Sequence, residues 1–346
     1  MIKNNFLIYL YKNITKNNIF MYLFYIIIFI IIFIIIIQAI LCIIYIYHLF
    51  KKYFFTKEIN FKERYGENTW VLITGCSSGQ GKLMALEFAQ RGFNIILMGS
   101  HRIKNVEKII KEKYKVQTRI CIVDFCKAYE KDFFVPITNI LNEIPGELSI
   151  LVNNVAHRVA WKSYDKMPSE KINDSIICGT IVQARLTQIG IQQFLKRKSV
   201  DKYKSAIINI TAMCNYSNIW FGVIPDISVP YLSVYEGANA FGYYHSNSIH
   251  KEYGKMFDIL NIPPGAVVTE NTQYLKDIPF CIDSDIFVKN IFKLIGNYNG
   301  IQFADWKHDI SNILCNFMFF YKDKILEYTG NIIALNYMKT YNSTKI

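Results

Sequence analysis

The stretch TGCSSGQG, residues 74–81, carries glycines at a spacing that suits a phosphate-binding turn. Glycine lets a chain turn tightly and lets its backbone come close to a pyrophosphate. A helix that begins in such a turn adds free N–H groups and a partial positive charge, which favour an anion. The stretch predicts a dinucleotide site, with a purely structural turn as the alternative, and the predicted contacts are Gly75, Ser77, Ser78, Gly79, Gln80 and Gly81.

A second pair of residues suited to chemistry lies in SVYEGANAF, where Tyr235 is followed four positions later by Asn239. This spacing places both side chains on one face of a helix. A tyrosine hydroxyl can donate or accept a proton in acid–base chemistry. An asparagine amide can donate and accept hydrogen bonds, but it carries no charge. The alternative for Tyr235 is ordinary packing within its helix.

Alternating strand and helix patterns from Trp70 onward supply the elements that must position these residues. Such alternation predicts an α/β fold, a Rossmann-type doubly wound parallel sheet. Ligands of these sheets bind beyond the carboxyl ends of the strands. The predicted helices include residues 80–91 and 103–113, and the predicted strands are WVLITG, FNIILMG, TRICIVDF, LSILVNNVA, SAIINITA and FDILNIPPGAVVT.

The spacing G-xxx-G-x-G resembles that of the short-chain dehydrogenase/reductase family. VDF, LVNNVA and PPGAVVT are similar to family segments that line the cofactor. Over about residues 66–300, GFNIILMGSHR and KEYGKMFDI resemble the membrane-bound very-long-chain 3-oxoacyl-CoA reductases and 17-beta-hydroxysteroid dehydrogenases. The resemblance implies further cofactor contacts at Asp124, Asn153, Pro264, Gly265, Val267 and Thr269.

The family's catalytic residues are a tyrosine, a lysine four residues later, a serine and an asparagine. The resemblance makes Tyr235 the tyrosine, but Asn239 takes the lysine position and Gly179 the asparagine position. Ala212 takes the serine position, and its neighbour Thr211 is the alternative source of a hydroxyl. Because asparagine cannot supply the charge that lowers a tyrosine pKa, we expect the standard catalysis to be impaired.

The implied reaction is NADPH-dependent reduction of a carbonyl on a 3-oxoacyl-CoA or a steroid. Arg102, just beyond the second strand, favours NADP(H), with NAD(H) as the alternative. The rival hypothesis is a non-catalytic dinucleotide- or lipid-binding scaffold at the endoplasmic reticulum membrane, within a fatty-acid elongation complex or as a homodimer. About ten additional residues, rich in aromatics, fall within 213–231 and have no assigned role.

Residues 20–50 contain no Asp, Glu, Lys or Arg. At ~1.5 Å per residue this run exceeds a hydrocarbon core of ~30 Å, so it predicts a transmembrane helix and a lipid membrane as partner. More Lys and Arg follow the run than precede it, which predicts a cytosolic main domain. The resemblance implies the endoplasmic reticulum membrane.

Composition excludes some functions. The net charge of +12 reflects either diffuse surface lysines or an attraction to acidic lipid headgroups or phosphorylated ligands. No lysine cluster is interleaved with aromatics, so we expect no nucleic-acid partner. The eight cysteines form no CxxC pair, so we expect no metal site. The predicted organisation is a tail (1–19), a transmembrane helix (20–50), a linker (51–68), a Rossmann-fold domain (69–305) and a C-terminal helical extension (306–346). That extension either packs on the domain or lies in the membrane interface.

Overall fold

A computed structural model of the protein describes residues 2–156, 162–213, 228–270, 272–317 and 322–342. The chain divides into two compact units, Met1–Thr56 and Lys57–Ile346. Most of the predicted insertion at 213–231 lies outside the described residues.

The first unit is one long helix. Helix α1 spans Ile2–Phe50 and continues as a π-helix over Lys51–Phe55, so the residues predicted as a tail are also helical. Within the described chain, Met21–Phe55 is the single helical stretch long and apolar enough to cross a membrane, with a mean hydropathy of 3.6. Its isoleucines and phenylalanines are exposed within this unit, as expected of a helix whose partner is lipid.

The second unit is built on a seven-stranded parallel sheet with the order β3-β2-β1-β4-β5-β6-β9. This confirms the predicted fold class. The sixth predicted strand ends earlier than expected, at Ile262, and the short β7 after it pairs with β8 instead. The strands are β1 Trp70–Thr74, β2 Asn94–Gly99, β3 Thr118–Ile122, β4 Leu148–Asn153, β5 Ala206–Ile210, β6 Asp258–Ile262, β7 Val267–Val268, β8 Ile282–Asp283 and β9 Gly300–Ile301.

Helices connect the parallel strands and cover both faces of the sheet. The helices of this unit are α2 Phe61–Tyr65, α3 Gly79–Gln90, α4 Ile103–Lys113, α5 Val135–Glu143, α6 Ser169–Ile176, α7 Val182–Leu195, α8 Ser233–Tyr253, α9 Ser284–Leu294, α10 Trp306–Phe317 and α11 Lys322–Asn342. A π-helix over Ile177–Ile181 joins α6 to α7.

Side-chain alternation along each strand divides the core into two layers. In β1, Val71 and Ile73 face one layer, whereas Trp70 and Leu72 face the other. The first layer holds α3, α4 and α9, and the second holds α5, α7 and α8. Both faces of β1, β2, β4 and β6 are buried, as expected of the inner strands of a parallel sheet with helices on each side.

A polar cluster closes the amino end of the sheet. Arg64 donates two hydrogen bonds to Asp258, at 2.6 and 2.8 Å, and the Tyr65 hydroxyl donates a third at 2.8 Å. Arg197 donates to the backbone carbonyl of Tyr65 at 3.0 Å. These buried charges are paired, so they hold α2 against the sheet. The carboxyl end of the sheet is left for the site.

Candidate active site

The glycine turn follows β1 and opens α3, as the sequence predicts. Gly75 and Gly79 have φ values of +62° and +55°, in the left-handed region that favours glycine. Ser77, Ser78 and Gln80 are half-buried in the turn. Ser78 stands at the N-cap of α3, but its side chain does not cap the helix, and the first turn of α3 contains no acidic residue. The start of α3 is therefore suited to hold a phosphate.

Two of the glycines are also required by packing. A Cβ at Gly81 would lie 2.5 Å from Asn154 Nδ2 and 2.6 Å from the Gly75 carbonyl oxygen. A Cβ at Gly75 would lie 3.0 Å from the Cα of Val155. The segment after β4 therefore packs directly against the turn.

Asn154, which was not among the residues predicted from the sequence, connects these two segments. Its Nδ2 donates to the carbonyl oxygens of Thr74 and Gly75, at 3.1 and 3.3 Å. The Thr74 hydroxyl in turn accepts from the backbone N–H groups of Asn154 and Val155, at 2.9 and 3.1 Å. The predicted contact Asn153 points elsewhere. It is buried, and its Nδ2 donates to Thr187 and Asn209.

The PPGAVVT segment faces the glycine turn. A Cβ at Gly79 would lie 3.4 Å from the Thr269 side chain, so these two predicted cofactor residues are brought together. Beside them Lys82 of α3 pairs with Glu270 at 3.3 Å. The carbonyl of Pro264 accepts from Met213 N at 2.9 Å, Gly265 packs on His308, and Val267 is buried in β7.

The residues predicted at the adenine end lie beyond β2 and β3. Arg102 is exposed at the start of α4, two residues after Ser100. Asp124 is exposed after β3, and its carboxylate accepts from Cys126 N at 3.1 Å. Both side chains belong to loops at the carboxyl edge of the sheet, the edge that carries the glycine turn. Their position suits contacts to the adenine ribose or its phosphate.

A narrow cleft next to the turn brings together three of the predicted catalytic positions. It has a volume of about 20 Å³ and is lined by Tyr235, Asn239 and Gly179, whereas Thr211 and Ala212 are not among its lining residues. The other lining residues are Val155, Ala156, Ser175, Gln183, Ile210 and Ala238. Ser175 and Gln183 were not singled out from the sequence, because an isolated polar residue in a helix gives no local signal of its role.

Asn239 is bound to its own helix. Its Nδ2 donates to the backbone carbonyl of Tyr235 at 2.8 Å, a bond between residues four apart on α8. The side chain is neutral and one of its two N–H groups is engaged, so it brings a hydrogen-bonding group but no charge to the cleft.

Gly179 lies in the π-helix, a distortion that is frequent at functional sites. A Cβ at this position would lie 2.7 Å from the Cβ of Ala238 on α8. The two helices approach closely here because both residues are small, so no larger side chain fits at 179 without a shift of α8.

Thr211 and Ala212 follow β5 and are both buried. The Thr211 hydroxyl donates to Asn261 Oδ1 at 2.8 Å. Its methyl group would lie 2.9 Å from a Cβ at Gly242, about two helical turns beyond Tyr235. Thr211 is therefore engaged with β6 and packed under the middle of α8, whereas Ala212 brings no hydroxyl.

Tyr235 also packs against the C-terminal part of the chain. It joins an apolar cluster with Leu232 and Tyr274, to which α11 contributes Ala334 and Tyr337. The rings of Tyr274 and Tyr337 meet edge to face at 5.3 Å. Of the two alternatives for residues 306–346, packing on the domain is the one seen for these side chains.

The fold is that of a dinucleotide-binding oxidoreductase family, and the comparisons agree. Residues 69–278 match the model of the short chain dehydrogenase family. The chain is 28% identical over 276 residues to a very-long-chain 3-oxoacyl-CoA reductase of Bos taurus, covering 78% of this chain and 82% of that protein. It is 30% identical over 216 residues to hydroxysteroid dehydrogenase-like protein 1 of Gallus gallus, covering 61% and 59%.

Solved structures show the same fold. A short-chain dehydrogenase from Sphingobium yanoikuyae in complex with NADPH superposes with a TM-score of 0.56 at 20% identity, covering 69% of this chain and 88% of that one. A 7beta-hydroxysteroid dehydrogenase structure gives a TM-score of 0.64 at 18% identity, covering 79% and 100%. The chain belongs to the short-chain dehydrogenase family of NAD(P)-dependent oxidoreductases.

Proposed function

We propose that the protein is a membrane-anchored, NADP(H)-binding reductase of a lipid-like carbonyl compound, such as a 3-oxoacyl-CoA or a steroid, in which the family's proton transfer is weakened. The glycine turn and Thr269 suit the cofactor, and Arg102 suits a 2′-phosphate. When bound, the cofactor supplies the hydride. The relatives named above support the class of substrate.

The proposal rests on the residue four positions after Tyr235, which is an asparagine where the family has a lysine. Asn239 is neutral, and its amide donates to the backbone of its own helix. Ala212 adds no hydroxyl at the serine position. A positive charge next to a tyrosine favours its ionised form, and a hydroxyl at the carbonyl oxygen stabilises developing negative charge. With both absent from these positions, Tyr235 retains its proton-donating hydroxyl but lacks the family's electrostatic support.

Two measurements on the full chain in detergent test the proposal. Calorimetry with NADPH should show binding, and NADPH oxidation with a 3-oxoacyl-CoA should show turnover far below about 1 per second. Turnover at about 1 per second or faster would refute the weakened proton transfer. No binding at millimolar NADPH would refute the proposal as a whole.

A non-catalytic scaffold is the second candidate. The packing of Gly179 on Ala238 favours the scaffold, because the close approach of the two helices leaves no room for an asparagine side chain at position 179. Tyr235→Phe separates the two candidates. If a low turnover is present and this variant abolishes it, the protein is an enzyme. NADPH binding without turnover in either protein supports the scaffold.

We also propose that α1 anchors the protein in the endoplasmic reticulum membrane with the domain in the cytosol. The long apolar stretch Met21–Phe55 and the basic residues after it support this orientation. An anchored domain stays near substrates that partition into the bilayer. Protease treatment of sealed microsomes should degrade the domain, and full protection would show the opposite orientation.

A further inference from the structure

A buried histidine outside the predicted site contacts the PPGAVVT segment. His308 lies in the first turn of α10 with 1% of its surface exposed. The backbone N–H of Gly265 donates to its Nδ1 at 3.3 Å, and its Nε2 lies 3.4 Å from the carbonyl oxygen of Ala266. One imidazole thus bridges two adjacent peptide groups.

These contacts determine the tautomer. Because Nδ1 accepts from Gly265, it carries no proton, and the neutral ring has its proton on Nε2. Nε2–H then donates to the Ala266 carbonyl, which also accepts from Ile282 N at 3.1 Å. The neutral ring satisfies both backbone groups, whereas an imidazolium would turn an N–H toward the Gly265 N–H.

Steric contacts support the same arrangement. A Cβ at Gly265 would lie 2.8 Å from His308 Cδ2 and 3.1 Å from Nε2, so the ring lies directly against the Gly265 backbone. On its other side the ring meets Phe287 of α9, with 5.7 Å between centroids. The glycine in PPGAVVT is therefore required by its contact with the histidine.

The start of α10 is itself anchored, which holds the imidazole in place. Asp305 accepts from Lys307 N at 2.9 Å and from Asn290 Nδ2 at 3.0 Å. The Lys307 ammonium donates to the Cys281 carbonyl at 3.0 Å. These bonds connect α10 to α9 and to the residue before β8, so His308 projects from a rigid support.

We propose that His308 is a positioning residue: its neutral imidazole holds the backbone of residues 264–269 in place for the nicotinamide end of the cofactor, and protonation of the ring releases that segment. The inference rests on the proposed binding of NADP(H). His308 lies 39 residues beyond Thr269, and no feature of the sequence connects the two.

The charges around the ring agree with a neutral form. Burial lowers the pKa of His308 from its ordinary value of 6.5, while the Ala266 carbonyl, Asp305 and Asp309 oppose this shift and Lys307 adds to it. Phe287 contributes a ring, and Gly265 and Ala266 contribute backbone groups. Since the unfolded chain binds the proton more readily, the contribution of His308 to stability falls as the pH drops below about 6.5.

Two variants of the full chain in detergent test the proposal. In His308→Gln, an amide can still accept from Gly265 and donate to Ala266, but it does not titrate. In His308→Leu, both bonds are lost at similar volume. Hydrogen exchange of the peptide containing Gly265, at pH 7.5 without cofactor, should be about tenfold faster in the leucine variant and close to wild type in the glutamine variant.

Binding of NADP⁺ gives the second measurement, from pH 7.5 to pH 5. The 2′-phosphate titrates near pH 6 in all three proteins, so only differences between them report on His308. The wild type should lose about tenfold more affinity over this range than His308→Gln. Equal pH dependence in these two proteins, or unchanged Gly265 exchange in His308→Leu, would overturn the proposal.

If the leucine variant does not fold, the pH dependence of the wild type and of the glutamine variant still decides. Absence of NADP⁺ binding by the wild type would refute the proposed function, and the exchange measurement would still decide whether His308 holds the segment.

Discussion

The glycine turn and the cleft around Tyr235 lie side by side at the carboxyl edge of one sheet, and Val155 contacts both. In the turn, the residues of the family motif are present and the fold itself requires them, because Gly75 and Gly81 have no room for a Cβ. In the cleft, Gly179 and Asn239 take the places of two expected side chains, and Gly179 packs closely against Ala238. Ala212, at the expected serine position, is buried after β5 and is not among the residues that line the cleft.

This difference separates two kinds of requirement. A glycine that the fold needs is retained even if the cofactor is never bound. The presence of all the glycines in the turn is therefore only limited support for cofactor binding. A catalytic side chain contributes little to folding, so it can be lost while the domain persists. Gly79 is the more informative glycine, because a Cβ there would make only ordinary contacts, at 3.4 Å or more, with Thr269, and only its positive φ favours glycine.

Restoring the catalytic side chains should have the largest effect. Asn239→Lys alone should raise carbonyl reduction slightly, since Ala212 still offers no hydroxyl. The double variant with Ala212→Ser should exceed the product of the single effects and reach roughly a thousandfold, about 4 kcal/mol. NADPH oxidation with a 3-oxoacyl-CoA, measured for all four proteins, checks this. A double variant no better than the wild type would contradict the electrostatic account of Asn239.

Gly81→Ala should have the next largest effect, on the fold itself. Its side chain would overlap Asn154 and the Gly75 carbonyl, so we expect a loss of about 3 kcal/mol in the free energy of unfolding. Gly79→Ala is the matched control and should lose only about 1 kcal/mol, from its positive φ. Urea unfolding measures both. Equal losses would show that packing does not distinguish the two glycines.

Gly179→Asn, which restores the family's asparagine, should destabilise the protein by about 2 kcal/mol because of the contact with Ala238. Ala238→Gly in the same chain should recover part of this loss, since it removes the atom in the way. The coupling between the two positions is measured by a double-mutant cycle in urea. Additive effects would mean that α8 moves aside without cost.

Local patterns were enough to predict the sheet and the glycine turn. The positions Tyr235, Asn239 and Gly179, which line the cleft, came from the resemblance to the family, which also pointed to Thr211 outside it. The orientation of Asn153 was not predictable, because successive residues at the end of a strand point to opposite faces and Asn154 is the one that reaches the turn. The clash at Gly179 and the support from His308 depend on contacts between distant segments, which no local pattern contains. The short β9 was missed for the same reason.

The smallest expected effect concerns the ion pair between α3, which follows the glycine turn, and the residue after the PPGAVVT segment. Lys82 and Glu270 are 3.3 Å apart, and the Glu270 side chain is 66% exposed. Such a pair contributes less than about 1 kcal/mol, because water and salt screen it. Lys82→Met should therefore leave the free energy of unfolding nearly unchanged.

NADPH binding should respond more to Lys82→Met than stability does, since the ammonium lies beside the turn that is predicted to hold the pyrophosphate. We expect a loss of affinity of a few-fold at low salt that shrinks as salt is added. Glu270→Gln, which removes the opposite charge, should raise affinity slightly under the same conditions. If both substitutions lower the affinity for NADPH equally, the pair acts by holding α3 and the PPGAVVT segment together. The charge of Lys82 would then contribute little to cofactor binding.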